Sequence, residues 1–336
     1  MKRPNLFTHA TSELSQDAFF CWLFQWANDD LAAENAALQK ASKDFLIGIL
    51  PERITMDYSI KEIKVDTQVA VTIDGKTPKN RIDFIVKIND EILLVFEDKT
   101  ASTTSTSQLK PYHDYIDKKY SKFQGNIFFY YLKSDIVWDS EKKLVENNDY
   151  TVIDIFRIAE LMPKSIGNAI YDDYVEIIKK RIELLKDYKS INPESWEKEH
   201  WLGFLVDFIT KHGKGSVNKH YKGKHYWFWL SSHANCLENN CYVSLEFVAG
   251  KFAIKTVAKD GNPRLTKQIN DVVREKVKET FKDYSGKLLN RNSKNTNTIF
   301  EFTDYFVINE DDLIDFNKSF DVITGIKEKF DNIEFK

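Results

Sequence analysis

The sequence lacks the features that mark secreted, membrane-spanning and disulfide-stapled proteins. Its 336 residues include three cysteines, at positions 21, 236 and 241, and this odd, scattered set makes no disulfide framework. No apolar run reaches the roughly 18 residues that a membrane-spanning helix needs. Residues 1–13 lack the apolar core of a secretory signal. We therefore expect a cytoplasmic protein with reduced thiols.

The sequence also lacks internal repeats, low-complexity tracts and a zinc motif. Four residues separate Cys236 from Cys241, and no second cysteine pair accompanies them. With His225 and His233 nearby, core thiols and surface histidines explain this group better than a metal site does.

What the chain does contain is enough apolar volume for folded domains. Apolar residues make up 42% of the sequence and aromatic residues 14%, so the chain is globular and not disordered. Its length favours two domains. A polar segment with one proline, 186–194, is the best linker candidate. We expect one domain over residues 1–188 and a second over residues 195–336.

The formal net charge of −3 is an average over unlike segments. Residues 201–300 hold 17 Lys and Arg against 8 Asp and Glu, a net of +9, so the remainder carries −12. Such a basic segment suits an electrostatic contact with phosphate, and a solvated lysine-rich face explains it equally well. Lys267, Arg274 and Lys278 lie opposite the apolar stripe of a predicted helix, where the same two explanations stay open.

Periodicity predicts the secondary structure of the first domain. Ser12 precedes an apolar series from Leu14 to Trp26 that indicates a capped helix with one buried face and Glu13 in its first turn. Further helices are expected over 32–49, 108–119 and 170–185, and strands over 63–73, 81–88, 92–99, 126–132 and 151–156. Asn89-Asp90 suits a tight hairpin. Residues 92–96 are all apolar, so this strand should be central, with both faces covered.

The second domain shows an α+β pattern. Helices are expected over 196–211, 265–281 and 313–330, and strands over 225–230, 242–248, 252–257 and 298–308.

Three charged residues are the candidates for chemistry: two at the end of the central strand and one on the strand before it. Asp83 lies in the first strand of the hairpin, and Glu97 ends the second. Because strand side chains alternate, Lys99 shares a face with Glu97, whereas Asp98 points to the other face. Charges at such a position are costly unless they are paired or bound to a cation. Two carboxylates can hold Mg²⁺ for phosphodiester hydrolysis, and Lys99 can orient water and stabilise the transition state.

These residues resemble the signature of the PD-(D/E)XK nuclease superfamily, an acid on one strand and (D/E)-x-K on the next. Here the signature reads Arg81-Ile82-Asp83 and Glu97-Asp98-Lys99, without the proline that often precedes the first acid. The segment from Gln108 to Tyr112 is similar to the Q-x-x-x-Y motif of RecB-type branches. Pro111 within it requires the helix to start late enough to place the proline in its first turn.

The resemblance covers about residues 10–160 and implies a restriction-endonuclease-like α/β core with a mixed sheet flanked by helices. It says nothing about residue 186 onward, where periodicity predicts the α+β domain. It implies a Mg²⁺-dependent nuclease, with Mn²⁺ as a possible substitute, acting on DNA more readily than on RNA. The implied metal-binding candidates are Glu13, Asp83, Glu97 and Asp98. Catalytic candidates are Asp83, Glu97, Lys99, Gln108 and Tyr112, the last two orienting substrate or the site.

Plainer explanations exist for each of these features. Asp83, Glu97 and Lys99 could form an ordinary cross-strand salt bridge, and Glu13 could do no more than complement the helix dipole. Gln108 and Tyr112 could be a cap and a half-buried aromatic residue. The protein could be a nucleic-acid-binding module that has lost catalysis, although the intact Glu97-x-Lys99 pair argues against this. It could also be a subunit of a defence or repair complex.

Overall fold

The computed structural model describes residues 4–55, 58–71, 80–100, 102, 104–212, 227–236, 241–248, 250–259, 267–290 and 295–335. The chain divides into two compact units, residues 1–182 and 183–336. This division falls inside a helix, and the domain boundaries expected from the sequence stay a prediction. No helix in the described ranges is long and apolar enough to cross a membrane.

The first unit combines five strands with helices on both sides of the sheet. The strands are β1 (Ile63–Val71), β2 (Asn80–Ile88), β3 (Ile92–Lys99), β4 (Ile127–Lys133) and β5 (Tyr150–Ile153). The helices are α1 (Glu13–Gln25), α2 (Ala36–Ile49), α3 (Glu52–Thr55), α4 (Thr106–Lys119), α5 (Asp139–Glu146), α6 (Ile155–Leu161) and α7 (Ala169–Asp187), whose end belongs to the second unit.

The sheet is mixed, with strand order β1-β2-β3-β4-β5. Strands β1 to β3 are antiparallel neighbours, whereas β4 and β5 run parallel to β3. All eight residues of β3 are buried. Leu94 and Phe96 belong to the core shared with α1, α2, α6 and α7, while Leu93 and Val95 belong to the core shared with α4. The sequence prediction of a central strand covered on both faces is confirmed.

The hairpin and the caps follow their local sequence. Asn89 and Asp90 have φ angles of 51° and 57°, the left-handed conformation that tight hairpin turns require. The Ser12 side chain accepts a hydrogen bond from the Ser15 N–H at the start of α1, as predicted. Helix α2 begins at Ala36 and not near residue 32, because the Asn35 side chain caps it by accepting from the Leu38 N–H.

Two sequence expectations about helices are wrong. On α1 the side that includes Leu14 faces solvent, with Leu14 66% exposed, and Phe20 and Phe24 are fully buried instead. The helix is apolar on more than one side, so its apolar spacing did not identify which side meets the sheet. Helix α4 starts at Thr106, which makes Pro111 its sixth residue. The helix therefore forgoes a backbone hydrogen bond that proline cannot donate.

In its described residues, the second unit is an antiparallel sheet with three helices. The helices are α8 (Lys198–His212), α9 (Lys267–Thr280) and α10 (Phe316–Asp331), and the strands are β6 (Trp227–Cys236), β7 (Cys241–Val248), β8 (Lys251–Ala258), β9 (Gly286–Leu288) and β10 (Thr296–Phe302), in the order β6-β7-β8-β10-β9. The expected α+β architecture is confirmed. The strand predicted over 298–308 ends at Phe302, and residues 225 and 226 of another predicted strand lie outside the described residues.

Candidate active site

The end of β3 brings acidic side chains together because the backbone pairing with β2 stops there. The last paired residues are Phe84 and Phe96, whose rings stack with centroids 4.5 Å apart. Beyond this pair, Asp83 Oδ2 accepts a hydrogen bond from the Asp98 N–H at 2.7 Å. The carboxylate thus takes the place of a backbone partner and is held beside the next residue of β3, Glu97.

Glu97 and Lys99 lie on the same face of β3 and contact each other. Lys99 Nζ is 2.6 Å from Glu97 Oε1 and 3.8 Å from Asp83 Oδ2. Glu97 is fully buried and Lys99 is 7% exposed. Lys99 also donates to the Asp98 carbonyl oxygen at 2.7 Å. The other carboxylate oxygen, Glu97 Oε2, is buried without a hydrogen-bond partner in the described part of the chain, which is costly unless a cation binds it.

Glu13 reaches the same cluster from the first turn of α1. Its Oε2 is 3.9 Å from Lys99 Nζ, and its Oε1 accepts a hydrogen bond from the Ser102 hydroxyl. The Glu13 side chain is 39% exposed, so it lies on the open side of the cluster. The structure therefore brings Glu13 together with Asp83, Glu97 and Lys99.

Gln108 and Tyr112 hold the other side of the cluster from helix α4. Gln108 Nε2 donates to Glu97 Oε1 at 2.5 Å, and the Tyr112 hydroxyl donates to the Arg81 carbonyl oxygen at 2.8 Å. Gln108 Nε2 is also 3.5 Å from the Tyr112 hydroxyl. One helical turn separates the two residues, so both face the sheet. They connect α4 to the strands that carry Asp83 and Glu97.

Asp98 points to the opposite face, as alternation requires. Its Oδ1 accepts a hydrogen bond from Gln16 Nε2 at 2.5 Å, and it interacts with the carboxyl group of Asp17. Burial, and then Asp17, raise the pKa of Asp98 well above its ordinary value. Burial also raises the pKa of Asp17 to about 6. Asp98 therefore lies beside Asp17 in surroundings that disfavour its ionised form, on the side of β3 away from Gln108.

Sequence reasoning missed Gln16 and Asp17. Both are nearly fully buried, and both contribute to the surroundings of Asp98. Their spacing of three and four residues from Glu13 places all three side chains on one side of α1. That spacing is a signal that could have identified them once Glu13 was a candidate.

The electrostatics of the cluster favour an added cation. Burial, followed by repulsion from Asp83, raises the pKa of Glu97 to about 8, and burial likewise raises the pKa of Asp83. Burial disfavours the Lys99 ammonium, but Glu97 and Asp83 outweigh this effect and raise its pKa. Three carboxyl groups, those of Glu13, Asp83 and Glu97, thus surround one charged lysine, and the two buried ones are poorly solvated.

The donor set fits a hard divalent cation. Carboxylate oxygens are the ligands that Mg²⁺ prefers, and Glu97 Oε2 is buried and unpartnered within the described ranges. Lys99 Nζ lies among these oxygens in the structure. Over the described residues, no group of three or more His, Cys, Asp or Glu side chains is arranged to hold a metal ion as it stands.

In the second unit, the candidate basic helix face differs from expectation. Arg274 is 7% exposed, its Nε donates to the Leu289 carbonyl oxygen at 2.9 Å, and its guanidinium pairs with Asp271. The expectation that Arg274 lies on a polar, solvent-facing side of the helix is wrong, because its side chain is buried and hydrogen-bonded to the Leu289 carbonyl oxygen. Lys267 and Lys278 are exposed.

The cysteine and histidine group of the second unit lies partly outside the described residues, since His225 is not among them. Cys241 is fully buried. The His233 ring makes a hydrogen bond of 2.8 Å with the Phe330 carbonyl oxygen.

Comparison with known proteins bears on the first unit and the start of the second. The family model of the PD-(D/E)XK nuclease superfamily matches residues 4–190, more than half of the chain. No significant match was found among curated proteins or among solved structures. The RecB-type branch stays a prediction. The matched region contains every residue of the cluster at the end of β3, and the chain belongs to the PD-(D/E)XK nuclease superfamily.

Proposed function

We propose that the protein is a metal-dependent nuclease that hydrolyses phosphodiester bonds, with DNA as its substrate. The observation that carries the proposal is the meeting of Asp83, Glu97 and Lys99 at the end of one buried strand, with Lys99 Nζ 2.6 Å from Glu97 and 3.8 Å from Asp83. An ordinary surface salt bridge would not need a fully buried glutamate with one oxygen unpartnered among the described residues. DNA is favoured because most of the superfamily acts on DNA.

Asp83 and Glu97 would hold Mg²⁺, with Mn²⁺ as a substitute, and Glu13 would assist from the open side. The bound cation would supply Lewis-acid stabilisation of the charge that builds on the phosphate. Gln108 orients Glu97 through the 2.5 Å hydrogen bond to Oε1, which leaves Oε2 free to face a ligand. Tyr112 fixes the helix that carries Gln108.

Lys99 would act on the reaction itself. Its pKa is raised by Glu97 and Asp83 against the effect of burial, so it keeps its positive charge at neutral pH. An ammonium held in place in a site with little water stabilises the developing negative charge of the pentavalent transition state. It also orients the attacking water through a hydrogen bond.

Asp98 has contacts that suit a supporting role. The metal-binding role expected for it stays a prediction, since its carboxyl group faces Gln16 and Asp17. Strand alternation directs this carboxyl group to the face of β3 opposite Glu97 and Lys99, where Gln16 donates a hydrogen bond to it. We propose that Asp98 anchors the end of β3 to α1.

The test is cleavage of plasmid and single-stranded DNA by the full chain across Mg²⁺ and Mn²⁺ concentrations, with RNA tested in parallel. Lys99→Ala should abolish cleavage, because the ammonium acts on the reacting groups. Lys87→Ala is the matched control: Lys87 lies on β2 and pairs with Asp66 at 2.6 Å, away from the end of β3. It should keep wild-type activity.

Two further results decide the assignment. Glu97→Gln should weaken the response to Mg²⁺, because a neutral amide is a poorer ligand for a hard cation. Circular dichroism of each variant establishes that the fold is retained. Wild-type cleavage by folded Lys99→Ala, or equal Mg²⁺ dependence of wild type and Glu97→Gln, would contradict the proposed site. Cleavage of RNA but not DNA would correct the substrate.

A further inference from the structure

A small cavity opens beside the end of β3, on the side of α1 and α7. Its volume is about 130 Å³. Phe7, Ser12, Gln16, Thr100, Tyr174 and Arg181 are among the residues that line it. None of the roles described above accounts for this cavity.

The cavity is joined to the backbone of the catalytic strand. Gln16 Nε2 donates to the Lys99 carbonyl oxygen at 3.2 Å, and the Ser134 N–H donates to the same oxygen at 3.2 Å. Thr100 follows Lys99 directly in the chain, and Ser12 directly precedes Glu13. The cavity therefore adjoins the end of β3 that carries Lys99 and the start of α1 that carries Glu13.

The walls suit a flat group with an apolar face and a polar edge. Phe7, Tyr174 and Ile178 are buried and form an apolar wall of the cavity. Thr100, which carries a hydroxyl group, and Arg181, which carries a guanidinium, also line the cavity. Arg181 is fixed by donating to the Ser134 carbonyl oxygen at 2.9 Å and by pairing with Asp135 at 3.0 Å. A planar guanidinium held in this way can bond to or stack on a heteroaromatic ring.

The volume of the cavity limits which aromatic ring it can hold. A cavity of about 150 Å³ in an unrelated protein holds one benzene molecule, so the present volume of about 130 Å³ suits a single six-membered ring better than a fused pair. Nucleobases offer both kinds, and pyrimidines have the single ring. A base inside a duplex is stacked and paired, and it cannot enter such a site without being extruded.

We propose that this cavity binds an unpaired pyrimidine base of the nucleic-acid substrate, adjacent to the scissile phosphate. The inference rests on the proposed nuclease function and adds to it a substrate class, single-stranded or locally opened DNA, and a base preference.

The experiment measures binding and cleavage separately. Fluorescence anisotropy in Ca²⁺ gives the affinity of the full chain for short oligothymidylate, oligoadenylate and a base-free abasic strand of equal length. Ala10→Phe would fill the cavity, since Ala10 lines it. Ala159→Phe on α6 is the matched control, because both alanines are partly buried against the same core. Cleavage of the same strands is measured in Mg²⁺.

Wild type should bind oligothymidylate more tightly than oligoadenylate or the abasic strand. Ala10→Phe should weaken oligothymidylate binding about tenfold, at the lower end of what one stacked base contributes. It should leave abasic binding unchanged, and Ala159→Phe should change neither. If Ala10→Phe does not fold, Ile177→Ala serves instead: it enlarges the cavity and should raise oligoadenylate affinity relative to oligothymidylate.

Equal affinity for all three strands, or a folded Ala10→Phe protein that keeps the thymidylate preference, would overturn the proposal. A folded Ile177→Ala protein with an unchanged preference would also overturn it. Cleavage in Mg²⁺ by a protein that shows no base preference would contradict the pyrimidine site and leave the nuclease function standing. Base preference without cleavage in Mg²⁺ or Mn²⁺ removes the nuclease function and leaves the cavity as a base-binding site.

Discussion

Raising the pH should favour metal-free Glu97→Gln over wild type in stability, because the free energy of unfolding of wild type falls as Glu97 titrates. Burial and the neighbouring Asp83 raise the pKa of Glu97 from its ordinary 4.5 to about 8. The folded chain then holds a proton on Glu97 over a pH range in which the unfolded chain has released it. Raising the pH through this range therefore favours the unfolded state. Glutamine has no proton to lose, so the free energy of unfolding of the variant lacks this decrease with pH.

The size of the effect follows from the interval between the two pKa values. Each pH unit corresponds to about 1.36 kcal/mol, so an interval from 4.5 to about 8 gives a penalty of at most about 5 kcal/mol near pH 9. At about pH 5 the same linkage relation gives only about 1 kcal/mol. Relative to wild type, Glu97→Gln should gain up to about 4 kcal/mol between these two pH values.

Urea unfolding in the presence of EDTA, followed by tryptophan fluorescence, measures this difference. The free energy of unfolding of wild type and Glu97→Gln is compared at about pH 5 and about pH 9. Glu34→Gln is the control, because it makes the same chemical change at an exposed position. A Glu97→Gln difference that does not grow with pH would refute the assignment of a buried, proton-holding carboxyl group at this position.

Three further results are expected. Ca²⁺ or Mg²⁺ at about pH 9 should raise the melting temperature of wild type more than that of Glu97→Gln, because a ligand stabilises only the state that binds it; equal shifts would argue against Glu97 as a ligand. Gln108→Ala should lower the cleavage rate about tenfold, since it removes a hydrogen bond to a charged group. An unchanged cleavage rate would contradict the role of Gln108 in positioning Glu97. Tyr112→Phe should lower the free energy of unfolding by about 1 kcal/mol. If α9 contacts phosphate, Lys267→Ala with Lys278→Ala should lower the salt slope of DNA affinity by about 1 for each contact; an unchanged slope would show a merely solvated face.

Local sequence was sufficient for the elements whose geometry depends on near neighbours. The unbroken apolar run of residues 92–96 predicted a strand buried on both faces, and the structure confirms it. Asn89-Asp90 predicted the tight turn. Strand alternation by itself placed Glu97 and Lys99 on one face and Asp98 on the other, because the period of two is a property of the extended backbone.

Short elements escaped prediction because their stability comes from distant partners. Helix α5 has eight residues, too few to be stable alone. It is held in place by Val145, which is fully buried, and by Glu141, whose Oε1 is 2.5 Å from the ammonium of Lys133 on β4. Strand β9, only three residues long, exists by pairing with β10.

The sequence by itself determined which residues carry charge at the end of β3; tertiary structure decided what surrounds them. Gln16 and Asp17 become neighbours of Asp98 only because α1 packs against the sheet. Arg274 was assigned to a polar surface by helical periodicity, yet the Leu289 carbonyl oxygen draws it into the interior. Periodicity reports the side of an element on which a residue lies, whereas burial and pKa depend on which groups from elsewhere in the chain pack against that side.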